Sequence, residues 1–140
     1  MKKTVLAAAL AAAAPCFPQG TGAFTGTVSN KEYSVFIAMD FHGPGIEVPG
    51  QELFGLLPGY IGDRRDSRAW LIISAGMEGG EARLQISNDY GSEDLEATLV
   101  QTSDSTFTLR QVSGSTLKIA RNRKWVKLPR ELEFKREKPR

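Results

Sequence analysis

From residue 33 onward, apolar and polar residues alternate with a period of two along most of the chain. This pattern constrains the fold more than any other feature. Successive side chains on a β-strand point to opposite faces, so alternation marks a strand with one face buried. Tyr33, Val35, Ile37, Met39 and Phe41 share one face. Ser34, Ala38 and Asp40 share the other, with Phe36 among them as a second apolar surface. Gly43-Pro44-Gly45 stops the strand. An apolar strand over 69–75 follows, holding Trp70, Leu71, Ile72 and Ile73. Glu78-Gly79-Gly80 reads as a hairpin turn. Further strands are expected over 82–87, 95–101 and 106–112, then at Leu117 with Ile119, over 125–128, and at Leu132 with Phe134. Roughly nine strands with short links and no amphipathic helix predict an all-β fold. The expected form is a small antiparallel meander closing into a barrel, with a two-sheet sandwich as the alternative. A barrel also removes the exposed edges through which small sheets associate.

The stretch 46–63 interrupts the pattern with Pro49, Gly50, Gly55, Pro58, Gly59 and Gly62. It reads as a long loop or lid with one helical turn over 52–57. Phe54, Leu56, Leu57 and Tyr60 would cap the barrel if it carried a small apolar ligand.

The first residues have the three-part build of a cleavable secretory signal. Lys2 and Lys3 are followed by an apolar run over 4–14 and then by Pro15 and small residues. The signal is assigned to 1–23, with cleavage between about 13 and 23, after Ala11-Ala12-Ala13 or after Thr21-Gly22-Ala23. Cys16 is the only cysteine, so no intrachain disulfide forms. Lipid anchoring through Cys16 is not expected, because Pro15 precedes it and the leucine of the attachment box is missing. The remainder reads as one β domain over 24–135 and a charged tail over 136–140, located in the bacterial periplasm or secreted. No other run is long and apolar enough to span a bilayer as a helix.

Charge is divided sharply along the chain. Residues 24–116 carry 6 basic and 13 acidic side chains, and residues 117–140 carry 10 basic and 3 acidic. Lys118, Arg121, Arg123, Lys124, Lys127 and Arg130 fall on or beside one expected hairpin around Trp125. A flat aromatic among cations suits an anionic envelope glycan or an acidic protein surface. Nucleic acid meets the same electrostatic demand but is not an expected partner of an exported chain. Trp125 and Lys127 share one face of the hairpin, and Lys124, Val126 and Leu128 share the other. Trp125 therefore points outward with Lys127, or into the core with Lys127 at the rim.

Catalytic and metal chemistry find little in this sequence. His42 is the only histidine, and Asp40 is the nearest acid to pair with it. No serine sits in a nucleophile-elbow pattern. The acidic pairs Glu93-Asp94 and Asp63 with Asp66 lack the spacing of a calcium loop. Gly59-Tyr60-Ile61-Gly62 lacks the lysine of a phosphate loop. No cofactor, metal or catalytic residue is assigned, and the chain reads as a non-enzymatic binding module.

One local pattern adds an alternative. Ser113-Gly114, a strand, and then Trp125-Val126-Lys127 resemble the Ser-Gly…Trp-x-Lys pattern of small periplasmic lysozyme inhibitors of the membrane-bound or C-type group. That resemblance implies a small exported β-barrel whose serine loop and lysine approach an enzyme's catalytic carboxylates. Ser113 and Lys127 would be the contact residues. Leu117 stands where the pattern has tyrosine, Leu128 where it has glycine, and the family's disulfide cysteines are absent.

Overall fold

The structure, a computed structural model, describes residues 23–89 and 91–137. The assigned signal up to residue 22, Cys16 included, and residues 138–140 lie outside the described residues. Twelve strands occur in the order β1 (Thr25–Asn30), β2 (Val35–Asp40), β3 (Ile46–Glu47), β4 (Leu56–Leu57), β5 (Gly59–Asp63), β6 (Asp66–Glu78), β7 (Glu81–Asn88), β8 (Asp94–Gln101), β9 (Thr106–Gly114), β10 (Lys118–Arg121), β11 (Lys124–Lys127) and β12 (Glu131–Arg136). Eight of them close a barrel in the order β1-β12-β9-β8-β7-β6-β5-β2. Every neighbouring pair is antiparallel. Two small ribbons interrupt this meander: β3–β4 between β2 and β5, and β10–β11 between β9 and β12. The sequence pattern thus leads to the barrel and not to the sandwich.

Alternation sets the inside of the wall. Val35, Ile37 and Met39 on β2, Leu84 and Ile86 on β7, and Leu109 on β9 are at most 2% exposed and belong to one apolar cluster. An eight-stranded barrel is just wide enough for such side chains to fill it. The register shifts in three places, one of them between Ile61 and Asp63 where β5 meets β6. Ile72 faces Ile86 and Ser74 faces Gln85, so Ile73 is the extra residue and turns outward. Val112 is displaced in the same way between Gln111 and Ser113.

The irregular segment differs most from expectation. It contains a barrel strand, β5, as well as the β3–β4 ribbon and a 3-10 turn over Glu52–Phe54. Glycine obscures β5 because its packing needs no side chain there. A Cβ on Gly59 would lie 2.2 Å from the Ala38 carbonyl oxygen of β2. A Cβ on Gly62 would lie 2.3 Å from the Phe36 ring. Phe36 lies on the outer wall over Gly62, edge-on to Tyr60, with the Arg64 guanidinium 4.6 Å from its ring centre. Gly59→Ala is expected to push β2 from β5 and cost about 1–3 kcal/mol. Urea denaturation checks this, and an unchanged midpoint would contradict the close approach.

The two ends of the barrel are closed differently. Phe24 plugs one end, stacked on Phe41 and edge-on to Phe107. Arg136 completes this plug by donating to the carbonyls of Thr25 and Ala23, with its guanidinium 5.2 Å from the Phe107 ring centre. Ala23 is buried, and its carbonyl accepts from Arg136. Arg136 is the last residue of β12. The seam between β1 and β12 is short, with Val28 facing Arg136 and Ser29 facing Lys135.

Candidate functional site

The opposite end is crossed by the β10–β11 hairpin. Its turn places Asn122 and Arg123 at φ 53° and 66°, the left-handed pair that a two-residue type I′ hairpin requires. Its base is clamped by Gln111, a buried amide on β9. Gln111 Nε2 donates to the Pro129 carbonyl at 3.0 Å, and its Oε1 accepts the Leu117 N–H at 2.8 Å. The segments leading into and out of the hairpin are thus tied to one side chain. Trp70 supports the start of β10, donating its indole N–H to the Lys118 carbonyl at 3.1 Å.

An ion pair fixes the tip. Arg121 donates to both oxygens of Asp63 at 2.6 and 2.8 Å, and to the carbonyls of Tyr33 and Ala120 at 2.7 Å each. The Arg121 and Asp63 side chains are 13% and 5% exposed, so solvent does little to screen the pair. The Asp63 hydrogen bonds raise the Arg121 pKa above its ordinary value, against the opposing effect of burial. Lys118 is joined to Glu93, in the β7–β8 turn, at 3.1 Å. The hairpin is therefore bound to the turns that follow β1 and β7 and to the end of β5.

These contacts divide the seven residues assigned to an anion-binding surface. Arg121 and Lys118 hold the hairpin to the barrel. Arg123, Lys124, Lys127 and Arg130 are exposed, with no ion pair among the described residues. Trp125 is 57% exposed, which settles its orientation as outward with Lys127. The guanidinium of Arg68 lies 5.3 Å from its ring centre, and Arg68 is also bonded to both oxygens of Asp66. Burial pushes the Asp66 carboxyl up, but the Arg68 hydrogen bonds and the charges of Arg68 and Arg121 outweigh it and hold the pKa below its ordinary value.

Beneath Trp125 lies a cavity of about 130 Å³, between the hairpin and the barrel end. Val35, Ile61, Trp70, Ile119 and Leu128 form its apolar floor. Asp66, Arg68, Asp89, Glu93 and Lys118 lie around it, with Ala120 on the hairpin side. Asp89 accepts the Ala69 N–H at 3.3 Å and has no cationic partner among the described residues.

The other assigned residues are not gathered here. Phe54 and Leu56 are exposed at the β3–β4 ribbon, beside a fully exposed Leu53. Tyr60 stands on the outer wall, and Leu57 pairs with Ile46. β4 lies alongside β6 as well as pairing with β3. Ser113 Oγ donates to Glu96 on β8, and no hydrogen bond joins it to Lys127 among the described residues. Asp40 accepts the Gly45 N–H within its own turn and makes no hydrogen bond to His42, which is exposed. No group of three or more His, Cys, Asp or Glu side chains placed to hold a metal ion occurs among the described residues. Among these residues there is also no helix long and apolar enough to cross a membrane.

Sequence reasoning missed Asp63 and Gln111 as the residues that position the hairpin. Asp63 carried one signal, as an acid at a turn between strands. Gln111 carried none, since a single glutamine on an alternating strand is ordinary. No protein-family model, curated protein or solved structure matches the chain.

Proposed function

We propose that this protein is an exported, non-enzymatic binding module of the bacterial periplasm or envelope that contacts an anionic partner through its β10–β11 hairpin. The observation carrying this reading is the division of labour among the hairpin cations. Arg121 and Lys118 spend their charge on the barrel, and Arg123, Lys124, Lys127 and Arg130 present theirs to solvent, Lys127 on the same hairpin face as Trp125 and Lys124 on the other. A hairpin held at base and tip loses little freedom when it binds, so less of the contact energy is consumed in ordering it. The leader-like residues 1–23 support export.

The test replaces Arg123, Lys124, Lys127 and Arg130 together with serine and leaves Arg121 intact. Exposed ion pairs are worth about 0.2–1 kcal/mol each, so binding to an immobilised polyanion such as dextran sulfate is expected to weaken about 10- to 100-fold at low salt. The affinity of the natural chain should fall as salt rises. Equal retention of the two proteins would refute the reading.

A further inference from the structure

The cavity under Trp125 has no part in the electrostatic argument above, yet it lies beside the free cations. Its rim is mixed in sign. Asp66, Asp89 and Glu93 supply negative charge, and Arg68 and Lys118 supply positive charge. A lone ammonium group would meet two cations there, and a lone phosphate would meet three carboxylates. A neutral ring bearing hydroxyls suits both, because each hydroxyl donates one hydrogen bond and accepts others. The apolar floor and the exposed indole of Trp125 suit the C–H face of such a ring. A cavity of about 130 Å³ is slightly smaller than the roughly 150 Å³ that accommodates benzene, so it seats one face of a single ring and leaves the remainder of that ring outside, against Trp125.

We infer that this cavity is a subsite for one sugar ring, and that the anionic partner of the hairpin is an acidic glycan. The inference rests on the hairpin being the contact surface. Asp89, whose one hydrogen bond among the described residues is to the Ala69 N–H, accepts hydrogen bonds from the ring hydroxyls. Trp125 stacks on the ring, and Arg123, Lys124 and Lys127 engage the acidic groups of the flanking residues.

The test compares acidic polysaccharides (dextran sulfate, alginate and polygalacturonate) with polyanions that have no sugar ring (polyphosphate and polyglutamate), using titration calorimetry on the full domain. Two variants perturb the cavity and leave the four exposed cations in place. Ala120→Leu fills it from the hairpin side, and Asp89→Ala removes the acceptor. Each variant is first shown by circular dichroism and melting to be folded. The expected result is that each weakens binding of the best acidic polysaccharide about tenfold and leaves polyphosphate binding unchanged. If both folded variants bind that polysaccharide as the natural chain does, the sugar subsite is overturned and the hairpin reading stands. If neither class of polyanion binds the natural chain at low salt, the hairpin reading fails and the sugar inference falls with it.

Discussion

Asp63→Ala is expected to destabilise the domain by about 3–5 kcal/mol, because it leaves the Arg121 guanidinium buried without its counter-charge. The melting temperature should fall by more than about 10 °C. Two features make the effect large. The pair is bidentate and shielded, and Arg121 joins the hairpin to the turn after β1 as well as to β5. A double variant, Asp63→Leu with Arg121→Met, should recover much of the loss, since removing both charges leaves neither one stranded. Calorimetric melting of the single and double variants gives the comparison. A change below about 0.5 kcal/mol for Asp63→Ala, the size usual at an exposed surface, would show that the pair is solvent-screened.

Phe107→Ala is expected to cost a similar amount, about 3–5 kcal/mol, at the opposite end of the barrel. Phe107 is fully buried, packs edge-on against Phe24, and lies under Arg136. Truncation leaves a void and also removes the surface on which Phe24 and Arg136 pack. Chemical denaturation should show the loss, and hydrogen exchange should show faster exchange around Phe24 than in β7 or β8. Uniform exchange across the barrel would contradict the local role of this plug.

The barrel was legible in the sequence because inward and outward side chains alternate cleanly on β2, β7, β8 and β9. Legibility failed where glycine replaced a side chain. Gly59 and Gly62 let neighbouring groups approach closely and left β5 looking like a loop. It failed also at the bulges, where Ile73 and Val112 are apolar but face solvent. For the site, the basic character of the hairpin was evident from composition, and the division of its cations was not. Arg121 differs from Arg123 in that the fold brings a carboxylate, Asp63, to it. The cavity was invisible for a related reason, since its residues come from strands far apart in the chain.

The short seam between β1 and β12 has a consequence for how the chain assembles. Asn30 donates to the Glu133 carbonyl across 103 positions of sequence. Hairpins such as β7–β8 close small loops and form early, whereas a contact of this span bears a large closure entropy. A growing chain cannot complete its ring until β12 has been synthesised. Until then β1 and β9 are open edges, the kind that recruit strands from other molecules. β12 is therefore the strand on which escape from intermolecular pairing depends.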